Sequence, residues 1–409
     1  MTVSTAHSAP KAEPAPTPSA KARQDYSGPE FLKIGFRPFF LASGLAAAAL
    51  IFYWLGVIGG QYDVPGGYDP TLWHVHEMLF GFAVTPLTGF LLTAIPNWTG
   101  RLPVRGLPLA LLALLWLAGR IAIAISSDIG VAAAAVIDLS FLVALMGVTV
   151  QEIIAGKNWK NLVITGLIGI LALANLLMHL EFLGIYETGA MGYRLGIAAF
   201  VLLLSLIGGR IVPSFTRNWL AKQGKKENLP AQFSHLDRGV ILVTLLALVT
   251  WVVMPTASVT GGLMAVAAIG QFARVWRWQG RATLAEPLVV ILHIAYGWIS
   301  LGFALLAASV FWPGLAQSDA LHALTMGAMA TMMLAVMTRA ALGHSGRALT
   351  AGRGTIAIFG LVTLAVLFRL VSSVSGEYVM FIMLSGVAWI AAFLLFVVLY
   401  LPVFFGKRH

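Results

Sequence analysis

The sequence predicts an all-α fold: a polytopic membrane helical bundle of about twelve transmembrane helices, with both termini cytoplasmic. Three observations predict it. Of 409 residues, 59% are hydrophobic and only 10% charged, whereas an ordinary globular chain carries about 25% charged residues. Apolar runs of about 18 residues or more recur along the whole chain, each long enough to cross a bilayer. Cations and anions fall in alternate loops between those runs, the asymmetry that sets orientation in a membrane.

Residues 1–30 are rich in Ala, Pro, Ser and Lys and have no apolar h-region. They read as a disordered tail and not as a cleavable signal peptide. Residues 31–409 then read as a single membrane domain. The first helix follows Phe36-Arg37-Pro38 and runs to about Gly59. The others are expected near 72–95, 105–125, 130–150, 161–180, 193–212, 237–255, 257–274, 284–310, 318–341, 354–374 and 379–405. With the tail cytoplasmic, the loops carrying Arg101 and Arg105, Lys157 and Lys160, Arg217 to Arg238, Arg274 to Arg281 and Arg339 to Arg353 are cytoplasmic too. The opposite loops carry Asp63, Asp69, Asp128, Glu181, Glu187, Asp319 and Glu377. Of 26 cations, only Arg120, Arg194 and Arg369 fall toward the outer side.

Composition also excludes. The net charge of +10 does not point to nucleic acid, because the cations lie between apolar runs and form no basic stripe with interleaved aromatics. The absence of cysteine removes disulfides, iron–sulfur ligation, thiolate catalysis and covalent c-type haem attachment. No phosphate loop or Ser–His–Asp order stands out, so hydrolases drop away.

The chemistry that remains gathers at Trp73-His74-Val75-His76-Glu77, which opens the second apolar run. Ionisable groups carried into a membrane persist mainly where they pair, bind or line a cavity. We therefore expect this stretch to help hold a redox metal centre. His179 ends the fifth helix and His322 starts the tenth at the same outer depth. His74 and His76 are two apart, hence about 200° apart on a regular helix, and cannot chelate one metal from it. They serve two centres on opposite faces, or one ligates while the other hydrogen-bonds, or both mark the interface. Glu77 suits a proton carrier or an acceptor behind a ligand. On the tenth helix, His322, Met326, Met329 and Met333 share a face, a donor set that suits copper, although a Met stripe is also ordinary packing. His293, three before Tyr296, reads either as an axial haem ligand or as a satisfied core histidine. Haem propionates would explain Arg120, Arg194 and Arg369, and so would pairing within the chain, with Asp138 an available partner.

The cytoplasmic ends of helices two, six and ten are loosely alike, at Pro96 to Arg101, Gly208 to Trp219 and Met337 to Arg347. This spacing hints at three four-helix units.

The phrases GFRPFFLASG (35–44), WHVHEMLFGF (73–82), GFLLTAIPNWTG (89–100), GGRIVPSFTRN (208–218) and MTRAALGHSGR (337–347) resemble the NnrS family. The resemblance runs from about residue 31 to the C-terminus and implies a twelve-helix bacterial inner-membrane protein. It implies haem b and copper as cofactors, and a link to the response to nitric oxide. The ligand expectations rest on depth and spacing: His74, His76, His322, His179 and Met326 for metal, and His74, His76, His293 and the three outer arginines for haem. Glu77 is the expected catalytic proton carrier. The expected activity is removal of nitric oxide by reduction to nitrous oxide, with electrons from a quinol or a soluble donor. Its rivals are a non-catalytic haem or copper protein and a transporter of a metal or metal–nitrosyl species.

Overall fold

The computed structural model describes residues 26–225 and 227–407. Most of the expected tail, with His7 and His409, lies outside them. Among the described residues there are no strands, and twelve helices are long and apolar enough to cross a membrane. They are α1 (Phe36–Ile58), α2 (Pro70–Thr99), α3 (Leu107–Ala124), α4 (Val131–Ala155), α5 (Trp159–Phe182), α6 (Met191–Lys222), α7 (His235–Val253), α8 (Ser258–Trp276), α9 (Pro287–Phe311), α10 (Gln317–His344), α11 (Arg353–Ser372) and α12 (Tyr378–Phe405). The expected spans are met in number and order.

Their ends follow local chemistry. α2 starts at Pro70 because the Asp69 carboxylate accepts from the Leu72 amide at 2.9 Å and proline suits the first helical position. It runs four residues past the expected end, through Pro96, and stops at Gly100, whose φ of 72° is the left-handed cap glycine adopts freely. α6 also outruns its expected end at Val212. Val212, Thr216 and Leu220 are buried at four-residue spacing, so a helical stripe continues where average hydropathy has already fallen.

Three helices form the centre. α2, α6 and α10 have 78%, 61% and 72% of their apolar windows buried, and no other helix exceeds 50%. α10 packs against both α2 and α6, and the start of α2 meets α6. The other nine helices pack around this core in three groups of neighbours, α3–α4–α5, α7–α8–α9 and α11–α12–α1, the last joining the two ends of the chain of helices. There the Arg37 guanidinium donates to the carbonyls of Phe404 at 3.1 Å and Gly406 at 2.9 Å.

Each central helix is interrupted by a π-helical segment, at Glu77–Ala83, Leu204–Gly208 and Ala323–Ala330. Their starts are spaced much as the three similar helix ends are, so the three-unit pattern hinted at in sequence recurs in backbone geometry. Single π turns inside α-helices are uncommon and concentrate at functional positions.

Candidate metal centre

The π segment of α2 opens at Glu77, immediately after His76, and both side chains are buried. Four helices converge on them. From α3, Arg120 donates to both Glu77 and Asp138. From α4, Asp138 points inward; from α5, Asn175 and His179 do so together, being four residues apart on one face. Gly119 lets α3 come this close, since a Cβ there would stand 2.9 Å from Asp138 Oδ1 and 3.2 Å from its Cα. One turn before Arg120, Trp116 donates through Nε1 to the Gly81 carbonyl at 3.0 Å, tying α3 to the π segment.

The contacts form one network. Asp138 Oδ2 accepts from Asn175 Nδ2 at 2.8 Å and lies 3.0 Å from His179 Nε2 and 3.2 Å from His76 Nε2. His76 Nδ1 is 3.0 Å from Glu77 Oε1, and its Nε2 is 2.9 Å from Asn175 Oδ1. Phe182 packs edge-on against both imidazoles, with ring centroids 5.7 Å and 5.9 Å away, and Phe80 covers His76 from below. Above the cluster, outside the spans, burial pushes the Tyr68 phenol up, so it stays protonated.

This arrangement lacks a positive charge. Two carboxylates face one guanidinium, leaving one formal negative charge among groups that are nearly all fully buried. His76 has an acceptor at each ring nitrogen, yet a neutral imidazole carries one N–H. A proton on the ring or on one carboxylate, or a metal ion, would balance that negative charge. The ligand atoms of His76, Asp138 and His179 all lie within 4.8 Å of one another, close enough for one ion. Two imidazoles and a carboxylate suit copper, iron or zinc, and Glu77 behind His76 is the acceptor that typically orients a ligating histidine. His179 Nδ1 is buried without a partner.

The opposite face of α2 carries the other imidazole of the motif. His74 stacks on Trp54, with centroids 4.4 Å apart and planes at 17°. It lies within electrostatic reach of His322 and Arg369. His322 donates through Nδ1 to the Ser318 carbonyl at 2.7 Å, which leaves Nε2 available. Of the three readings open for the pair, the geometry bears on the first only by placing the two on separate faces: His76 lies beside His179, and His74 within electrostatic reach of His322.

The remaining expected residues are placed as follows. Met326 lies one turn beyond His322, within the π segment of α10. His293 stands apart, on α9, with Nε2 2.8 Å from Thr216 Oγ1. The expected backing of His293 by Tyr296 is not found, because that hydroxyl bonds Gln271 and Arg274 instead. Arg194 donates to the Val252 carbonyl at 3.1 Å, and Arg369 to Asp319 at 3.1 Å. Arg120 and Arg369 thus meet carboxylates of this chain, the alternative to propionates that the sequence left open. Sequence reasoning missed Asn175, whose signal was its i, i+4 relation to His179, and gave Asp138 only a minor part.

The sequence model of one protein family, described as NnrS protein, matches residues 30–408. No curated protein matches the chain.

Proposed function

This chain belongs to the NnrS family of nitric-oxide-response membrane proteins, and from that premise we propose that it is a bacterial inner-membrane metalloprotein that reduces nitric oxide to nitrous oxide. The observation that carries the reading is the buried His76–Asp138–His179 group, one positive charge short and ringed by acceptors. His76, Asp138 and His179 are the residues that would hold copper. His74 and His322, each with a ring nitrogen uncommitted to a protein hydrogen bond, would hold the iron of haem b. Bound there, these metals would relay electrons from the donor, and the copper would offer an open coordination position.

The reaction joins two nitric oxide molecules with two electrons and two protons, giving nitrous oxide and water. The electrons come from a quinol or a soluble donor. The protein's own part is positioning and proton supply. Arg120 fixes Glu77 and Asp138, Glu77 orients His76 through Nδ1, and Phe80 and Phe182 keep bulk water from the ligand side. Glu77 is the carboxylate placed to hold a proton and pass it on as the N–O bond breaks.

The test is metal and pyridine-haem analysis of purified protein, followed by anaerobic turnover with a reductant and detection of nitrous oxide. Wild type should contain copper and b-type haem and produce the gas. A haem-loaded preparation that binds nitric oxide without turnover would remove the enzymatic reading. The runner-up, a non-catalytic binder, is favoured by one observation: Arg120 already neutralises Glu77. Glu77→Gln, compared with wild type at matched copper and haem loading, separates the two, since a binder then keeps its nitric oxide affinity and has no turnover to lose.

A further inference from the structure

A second feature lies lower on the same three central helices. Where α2, α6 and α10 face one another they leave a cavity of about 70 Å³. All the residues around it are apolar, among them Leu87, Phe90, Leu204, Ile207, Met333 and Val336. The cavity is half open at its side, its apolar lining suits an apolar guest and not water, and its space matches about two small molecules at roughly 30 Å³ each.

Its origin is legible in the backbone. Leu204, Ile207 and Gly208 belong to the π segment of α6, Pro86 follows that of α2 by three residues, and Met332 follows that of α10 by two. A π turn widens a helix and shifts the side chains beyond it out of regular ridge-and-groove register. The cavity thus lies level with the π segment of α6 and just beyond those of α2 and α10, where the three helices do not fill the space between them. On α10, Met326 and Met329 lie in sequence between His322 and Met333, which lines the cavity. Met333 lies eleven residues beyond His322, about 16 Å at the helical rise per residue.

We infer that this cavity is a binding site for a small, uncharged, apolar molecule drawn from the bilayer, distinct from both histidine clusters. A charged or hydrogen-bonding guest finds no partner there, and a porphyrin or quinone ring exceeds the volume. A neutral diatomic gas meets every constraint. That its natural guest is nitric oxide rests on the function proposed above; the site itself does not.

The test is a crystal structure of the full-length protein under xenon pressure, read by anomalous scattering. Xenon should sit between Leu87, Ile207 and Val336 in wild type. It should vanish in Val336→Phe, with copper and haem content unchanged; Ile207→Phe serves if the first variant does not fold. After flash photolysis of the nitric-oxide-bound protein, the fraction recombining from within the protein should fall at least two-fold in the filled variant. Ordered water or an acyl chain in the cavity, or xenon bound only elsewhere, would overturn the inference. Xenon in place with wild-type protein inert toward nitric oxide would instead sink the proposed function and leave this site standing.

Discussion

Arg120 pairs with two carboxylates at once, and the consequences of removing it differ from those of removing either acid. Arg120→Gln leaves Glu77 and Asp138 facing each other without a counter-charge in a buried site. Breaking such a pair costs about 3–5 kcal/mol, so thermal unfolding in detergent should show a large drop, smaller for Arg120→Lys. Asp138→Asn instead removes the surplus negative charge and a ligand oxygen while Glu77 keeps its guanidinium. That variant should fold normally and lose copper, which elemental analysis reads directly. Glu77→Gln keeps all three ligands but weakens the acceptor behind His76. Its copper affinity should fall about 10- to 100-fold, the usual effect of a lost outer partner, measured by competition with a chelator.

At the scale of elements, the cluster depends on how closely α3 approaches α4. Gly119→Val places methyl groups against the Asp138 backbone, where a Cβ alone already meets Cα at 3.2 Å. The helix should be pushed out and metal content should fall, while circular dichroism reports unchanged helicity. The number and order of helices, and the common depth of His74, His76, His179 and His322, were readable because hydropathy and loop charge report position across the bilayer. Which imidazole meets which was not. In a membrane helix the lipid-facing and core-facing sides are both apolar, so α4, with Leu142 buried and Val143 exposed, gives no polar stripe to mark its inner face. Asp138 and Asn175 were therefore visible as polar residues but not as neighbours. The π turn at Glu77 also escaped, since the regular 3.6-residue period has no signature for an inserted residue. A transporter would call for broken helices paired between two halves; the interruptions found among the described residues are three, π-helical and continuous with their helices.

For the whole molecule, orientation is the property that loop charge predicts and a direct chemical test can check. The chain contains no cysteine, so single cysteines can be introduced without background. Asp63 and Lys222 are both exposed and lie at loops of opposite charge character. With the basic loops cytoplasmic, a membrane-impermeant maleimide should label Asp63→Cys in intact spheroplasts. Lys222→Cys should react only after permeabilisation, and the reverse pattern would invert the topology. The three-unit arrangement also spreads the chemistry unevenly. The first unit's Arg120 pair is short of a cation, whereas Arg274 in the second is fully engaged by Asp237, Ser205, Gln271 and Tyr296.

The seam between α12 and α1 has a consequence for how the chain is assembled. α1 finds its largest partner in α12, which is made eleven helices later, with Arg37 bound to the carbonyls of Phe404 and Gly406. Until α12 is in place, Phe39 and Phe40 of α1 already pack on Phe141 and Gly89, but Arg37 lacks the carbonyls of Phe404 and Gly406, and the nascent protein is most exposed to proteolysis in that interval. Because the two ends meet, a permuted gene that starts at the α5–α6 loop and joins the old termini should give the same bundle.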